Sequence, residues 1–291
     1  MILEMAVADA LGAPYEFKTA ADRAKFTQKG FATPDGVGRY TDDTQMSVAV
    51  CEHMLAGSPN TQEAWAEHFI DAYRRDPRNG YAKRVITALQ KPSPRRMLEA
   101  VGLSSHGSRG NGTVMRCVPL GMLKDPGEVA AHAAVQSSAT HSSPKCAMAA
   151  VYVALASHYI YHRWGSAPKL FAFLKEQMGA GVVNDITLAW KEGTEVPCEA
   201  YQTASYCVRL AATALQHGWA PEHCIDHAVR DGGDVDSTAA VSVALVTMRP
   251  NLPGGEQVAL VKALENGPYG RDHLIRLDMR MASSFPRLAG G

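Results

Sequence analysis

The sequence is short of strand signals, of paired cysteines and of net charge, and each shortage removes a class of protein. Alternating β-branched or aromatic runs bounded by turns are nearly absent; GVVNDITLAW comes nearest and reads equally as loop and helix. Six cysteines, Cys51, Cys117, Cys146, Cys198, Cys207 and Cys224, show no C-x-x-C spacing and mostly lie in apolar helical patterns. They read as reduced core thiols, not as zinc ligands or a disulfide framework. Basic and acidic residues number 29 each, so no basic excess points to a nucleic-acid partner and no acidic tail points to a disordered segment. The longest apolar run, Cys146 to Ala156, stops well short of the roughly 20 residues that a membrane-spanning helix needs. The first residues, MILEMAVADALG, carry Glu4 and Asp9 where a secretory leader carries basic groups, so a cytoplasmic protein is expected. None of the 11 histidines is followed by aspartate, as a His-Asp phosphohydrolase would require. Two H-x-x-x-H pairs, His158/His162 and His223/His227, lack the glutamate of the H-E-x-x-H zinc hydrolases.

What the sequence has is helical periodicity. The segments ILEMAVADALG, QEAWAEHFIDAYRR, SPKCAMAAVYVALASHYIYHRW, EAYQTASYCVRLAATALQHG and DSTAAVSVALVTM place apolar residues three and four apart and are rich in helix formers. Asn60 with Glu63 reads as a capping pair, and Ser143 before Pro144 as an N-cap followed by a first-turn proline. With 291 residues, 46% of them hydrophobic, no repeat and no Pro- or Ser-rich linker, a single all-α domain over 1–291 is expected. Polar, glycine-rich passages between helices are where chemistry is expected.

Two of these passages are acidic. In YTDDTQMSVAVC, the residues Thr41, Asp42, Asp43 and Thr44 crowd one helix start. A single cap, Asp42 with Gln45 reaching back, would use one side chain. Two adjacent carboxylates repel each other unless something positive lies between them. In DGGDVDST, Gly232 and Gly233 permit turns closed to other residues, and Asp234, Asp236 and Ser237 follow. On a helix Asp234 and Asp236 would point about 200° apart, so they converge only if Asp234 precedes the helix. Four carboxylates call for two divalent cations, and hard oxygen donors suit Mg²⁺ or Mn²⁺. A third passage, GSRGNGTVMR, is a glycine-rich loop leading into a helix and offers N–H groups to an anion; without the lysine or a preceding strand it is not an NTPase loop.

Taken in order, ADALGAPYEF, YTDDTQM, DPRNGY, GSRGNGTVMR, ATHSSP and GGDVDSTAA resemble the motifs of the ADP-ribosylglycohydrolases across nearly the whole chain. The resemblance implies an all-α orthogonal bundle with a binuclear Mg²⁺ or Mn²⁺ site. It implies metal ligands at Thr41, Asp42, Asp43, Asp234, Asp236 and Ser237. Glu16 matches a glutamate that helps bind water or a ribose hydroxyl. Gly107, Ser108, Arg109, Gly110, Asn111 and Gly112 match the lining of the diphosphate and ribose of ADP-ribose, with His141 nearby. Met115 and Arg116 read as supports beneath the loop, and Tyr81 as a packed aromatic. Three positions depart from the family pattern: Ala8 for a glycine, Val235 between the late aspartates, and Ser237 for the commoner threonine. None removes a ligand oxygen.

The implied activity is metal-dependent hydrolysis of the bond between C1 of the distal ribose of ADP-ribose and an acceptor, reversing ADP-ribosylation. The metals would fix the ribose hydroxyls and activate a water, with Glu16, Asp42, Asp43 or Asp236 as proton acceptor. The expected partner is an ADP-ribose conjugate, either protein or small molecule. No membrane or nucleic-acid partner is expected, and the chain is expected to act as a monomer. The alternative reading is a non-catalytic ADP-ribose-binding or structural protein of the same fold. The acceptor linkage stays open among arginine, serine, O-acetyl and nucleic-acid adducts.

Overall fold

The computed structural model of the chain describes residues 1–104, 109–163, 166–250 and 258–288. Among these the secondary structure is helical, with no strand beyond two isolated bridges. The helices are α1 (Ile2–Gly12), α2 (Ala20–Arg23), α3 (Asp42–Ala56), α4 (Gln62–Arg75), α5 (Lys83–Leu89), α6 (Pro94–Ser104), α7 (Pro126–Ser138) and α8 (Pro144–His162). They continue as α9 (Ala167–Met178), α10 (Ala180–Thr187), α11 (Ala200–His217), α12 (Pro221–Asp231), α13 (Val235–Thr247), α14 (Val258–Ala263) and α15 (Arg271–Ser284). The five segments with helical periodicity are α1, α4, α8, α11 and α13, and GVVNDITLAW resolves as the helix α10. No described helix is long and apolar enough to cross a membrane.

Two expected caps sit elsewhere. At α4 the N-cap is Thr61, whose hydroxyl accepts from Ala64 N–H, while Asn60 Oδ1 accepts from the Trp65 indole N–H at 2.9 Å. The ring N–H of a buried tryptophan needs an acceptor, and Asn60 supplies it. At α3 the N-cap is Thr41, and Gln45 does not reach back: its amide donates to the carbonyls of Ala72 and Asp76 at the end of α4.

Helices α1 and α13 pack on each other at the centre, buried almost all round, as helices without a polar face must be. Small residues let them approach: Ala6, Ala10 and Gly12 on one, Ala239, Ala240 and Ala244 on the other, all buried. A Cβ on Gly12 would lie 2.8 Å from Asp236 Cα, so the end of α1 abuts the start of α13 backbone to backbone. Ala8 and Val235, the two apolar departures from the family pattern, are both fully buried in this core.

Helix starts buried in this core need acceptors for their free N–H groups. Asp278 of α15 accepts from Ile2 and Leu3 N–H, both at 3.0 Å, and so caps α1 from another helix. Asp9 of α1 does the same for α3. Its carboxylate accepts from Thr41 N–H and Thr44 N–H and from both threonine hydroxyls, at 2.6–3.2 Å. Thr41 and Thr44 are the N-cap and third helical positions, so Asp9 performs in trans the task that the N-cap side chain performs in an ordinary helix.

Further along α3, His53 stacks on Trp65 with ring centroids 3.5 Å apart and stands 5.0 Å from the ring of His68 and 6.4 Å from that of His132. It is buried, and among the described residues neither ring nitrogen has a partner. Burial, and then the two neighbouring imidazoles, pull its pKa down to about 4.

Two expectations follow from this packing. Gly12→Ala gains up to about 1 kcal/mol of helix propensity, yet drives a methyl into backbone, an overpacking cost of about 1–3 kcal/mol. Overpacking wins, so the urea midpoint should fall; an unchanged or raised midpoint would refute the backbone contact. For His53 the unfolded chain binds the proton first, so its stabilising neutral state is fully present above about pH 6.5 and lost as pH falls towards 4. His53→Phe should flatten stability over that window, measured by urea unfolding at several pH values; an unaltered profile would show that another group is responsible.

Candidate active site

The start of α3 and the start of α13 open onto one cavity. Asp42 and Asp43 enter from the first two positions of α3. Asp234, the N-cap of α13, and Asp236 and Ser237, in its first turn, enter from the other side. Glu16, immediately after the short 3-10 turn Ala13–Tyr15 that extends α1, completes the wall. Asp234 thus precedes the helix, the condition for it to converge with Asp236. Ligand oxygens of Glu16, Asp234 and Asp236 lie within 4.8 Å of one another.

Tight turns hold these side chains. Gly232 and Gly233 adopt φ of +80° and +85°, and a Cβ on Gly233 would lie 2.1 Å from Val196 O, so only glycine fits before Asp234. Asp234 N–H donates to the same carbonyl at 2.8 Å. Asn79 O accepts from Asp42 N–H at 3.0 Å, and Gly80, at φ +101°, leaves room for Asp42 Oδ1 where a Cβ would stand 2.0 Å away. Phe17, beside Glu16, holds the left-handed φ of +49° while its N–H donates to Gly233 O at 2.8 Å. That bond ties the Glu16 segment to the turn that delivers Asp234, and backbone strain of this kind persists only where its surroundings enforce it.

The acidic wall is electrostatically uncompensated. Burial raises the pKa of Asp42, Asp43 and Asp236 well above the carboxylate range, and neighbouring acids add to it: Asp9 on Asp42, Asp42 on Asp43, Asp43 on Asp236. Glu16, half-buried, is raised by burial and then by Asp234 and Asp9. At an effective dielectric near 20, two charges about 4.8 Å apart repel by roughly 3–4 kcal/mol, so ionised carboxylates here need a counter-charge. Asp43 Oδ1 is buried with no hydrogen-bond partner among the described residues. An orphaned carboxylate oxygen among hard oxygen donors fits a divalent cation of the Mg²⁺ or Mn²⁺ type.

The remaining candidates divide. Thr41 does not line the cavity: its hydroxyl donates to Asp9 Oδ1 at 2.9 Å and lies 3.3 Å from Asp43 Oδ2, one step behind the wall. Gly110, Asn111, Gly112 and His141 do line it. Asn111 donates to Asp234 Oδ2 at 2.7 Å and accepts from the Cys198 thiol at 3.2 Å, joining the glycine-rich loop to the acidic wall. Arg109 is exposed and outside the wall; its carbonyl accepts from Ala200 N–H at 2.7 Å. Gly107 and Ser108 lie outside the described residues. Arg116 is buried and bonded to Gln136 and Thr140, bracing the loop from beneath. Tyr81 packs edge-on against Tyr73 and donates to Gln45 Oε1. The paired histidines His158 and His162 both bond the Leu123 carbonyl, a structural use.

Sequence reasoning passed over Asp9, Cys198 and Arg84. Asp9 left a signal, since an aspartate inside the apolar run AVADALG must be satisfied by something. Cys198, the one exposed cysteine, lines the cavity, as does Arg84 on α5; neither lies in a motif that marks it.

The chain has relatives among known proteins. The model of the ADP-ribosylglycohydrolase family matches residues 1–266. Human ADP-ribosylhydrolase ARH3 is 30% identical over 146 residues, 48% of this chain and 39% of that protein. The chain therefore spans less than half the length of this relative. The ADP-ribosyl-[dinitrogen reductase] glycohydrolase of Rhodospirillum rubrum is 26% identical over 254 residues, covering 82% of this chain and 81% of that one. A solved structure described as an ADP-ribosylglycohydrolase-related protein complex superposes with a TM-score of 0.67 at 20% identity, covering 97% and 95% of the two chains, a likeness of fold. With the family match running from the helix that carries Asp9 past the turn that carries Asp234 and Asp236, the chain belongs to the ADP-ribosylglycohydrolase family.

Proposed function

We propose that the chain is a metal-dependent hydrolase that cleaves the bond between C1 of the distal ribose of ADP-ribose and an acceptor atom, releasing ADP-ribose. The observation that carries this reading is the uncompensated acidic wall, with its orphaned Asp43 oxygen, in a cavity that the glycine-rich loop also lines, within a chain of this family. The named activities of the relatives, ADP-ribosylhydrolase and ADP-ribosyl-[dinitrogen reductase] glycohydrolase, support the same chemistry.

Asp42, Asp43, Asp234 and Asp236, with Ser237 beside them and Thr41 behind, would hold two Mg²⁺ or Mn²⁺ ions. When bound, such ions neutralise the wall, act as Lewis acids towards hydroxyl groups and acidify water. The protein's own groups do the rest. Asn111 fixes Asp234 by an amide hydrogen bond, and Asp9 fixes the backbone from which Asp42 and Asp43 project. Both keep the donors from relaxing apart. Glu16 is the most accessible carboxylate of the wall and is placed to exchange a proton with a substrate or water entering the cavity. Cleavage at a ribose C1 passes through an oxocarbenium-like state, so the site must orient the ribose, stabilise the leaving group and deliver water. The substrate is an ADP-ribosylated protein or small molecule, and the chain works as a monomer in the cytoplasm.

The test is release of free ADP-ribose from arginine-, serine-, O-acetyl- and nucleic-acid-linked substrates, run with Mg²⁺, Mn²⁺ or chelator. At least one linkage should be cut, and chelator should abolish the cut. Asp42→Asn and Asp236→Asn should each cost about a hundredfold or more in turnover, with circular dichroism unchanged. Undiminished turnover in folded Asp236→Asn protein would sink the reading, as would full activity in chelator.

A further inference from the structure

Five carboxylates line the cavity together with two guanidinium groups, Arg84 and Arg116; Arg116 is committed to Gln136 and Thr140, which leaves Arg84, a residue outside every recognised motif. Arg84 lines the same space as Gly112 and His141. Its Nη2 donates to His141 Nε2 at 2.7 Å, and among the described residues it makes no other hydrogen bond and no ion pair. It is half-buried, and burial lowers its pKa. A guanidinium withdrawn from water normally recovers that cost from a carboxylate or phosphate. Here five carboxylates line the same cavity, yet none engages it.

The histidine is held for the purpose. Arginine can only donate, so His141 Nε2 must be a bare acceptor and the ring proton sits on Nδ1. Nδ1–H then donates to Thr140 Oγ1 at 2.9 Å, and the same hydroxyl oxygen accepts from Arg116 Nη2 at 2.7 Å. Burial and the two guanidinium groups push the His141 pKa down to about 3, so the ring stays neutral at physiological pH. The loop presses against it from the other side: a Cβ on Gly112 would lie 3.2 Å from His141 Cε1. With its Nε2 lone pair committed to Arg84, His141 offers the cavity no N–H of its own.

We propose that Arg84 binds the diphosphate of the substrate through its guanidinium fork, with His141 as the positioning residue that holds it at the cavity wall. The inference rests on the function proposed above and deepens it. Specificity then comes from two poles: cation-loaded carboxylates for the ribose hydroxyls and Arg84 for the phosphate oxygens, which a planar fork meets in pairs. A ribosyl conjugate without phosphate gains nothing from Arg84 and is expected to be a poor ligand.

Titration calorimetry of the full chain in EDTA tests this with ADP-ribose, inorganic pyrophosphate and adenosine as probes. Arg84→Gln should weaken ADP-ribose and pyrophosphate about tenfold or more, leaving adenosine unchanged. Arg84→Lys, which keeps the charge and loses the fork, should fall between. His141→Ala should weaken pyrophosphate in the wild-type background and cost nothing further beside Arg84→Gln, a coupling that a purely structural histidine would not show. Equal ADP-ribose affinity in wild type and Arg84→Gln overturns the assignment and leaves the proposed function standing. Arg84-dependent pyrophosphate binding by a wild type that neither binds nor releases ADP-ribose keeps the anion site and overturns that function. A wild type that binds neither probe overturns the anion site. Should Arg84→Gln fail to fold, Arg84→Lys carries the comparison, and wild-type affinity for pyrophosphate in that variant is the contradicting result.

Discussion

The carboxylate of Asp9 and the bare Cα of Gly12, less than one turn apart on α1, fix where two other helices begin. Asp9 accepts from the backbone of Thr41 and Thr44 and so sets the start of α3. Gly12 lets the start of α13 touch α1 at Asp236 Cα. The distance between two helix N-termini in the interior is thereby set by one rigid rod. The aspartates of both termini meet because α1 measures the gap. Helix N-termini favour negative charge, which offsets part of the cost of gathering carboxylates, but burial and mutual repulsion outweigh it, as the raised pKa values of Asp42, Asp43 and Asp236 record.

Five carboxylates and the guanidinium groups of Arg84 and Arg116 make the cavity a polar socket. The interior could be more stable with apolar groups in place of its acids, because uncompensated buried charge costs more than packing returns. On the function proposed above, bound cations complete that balance from outside. Asn111 belongs to this economy from the opposite wall: its amide satisfies Asp234, and its carbonyl oxygen takes the Cys198 thiol. Loop and acidic wall are therefore mechanically joined.

Much of this was legible in the sequence because it is local. Helical periodicity located α1, α4, α8, α11 and α13, and the glycine pair before Asp234 correctly announced a turn that other residues cannot make. Ordered motifs named the family and, with it, the residues of the acidic wall. What escaped was long-range. Asp9 caps a helix that begins more than thirty residues later, and no period in the chain encodes that pairing. Asn60 resembled a helix cap because the Asn60–Glu63 spacing fits a capping box, but a buried indole N–H claimed its oxygen first. Thr41 stands in the motif beside Asp42, yet Asp9 draws its hydroxyl away from the cavity. Arg84 looks like any helix-surface arginine until the fold sets His141 against it.

The central claim is that aspartates from the starts of α3 and α13 share divalent cations. Anomalous diffraction from crystals grown or soaked with Mn²⁺ addresses it without reference to turnover. The account predicts strong peaks in the cavity between Asp42 and Asp43 on one side and Asp234 and Asp236 on the other, with Asp43 Oδ1 among the coordinating atoms. Saturating Mn²⁺ with no peak between these side chains, or a peak only elsewhere on the molecule, would contradict it.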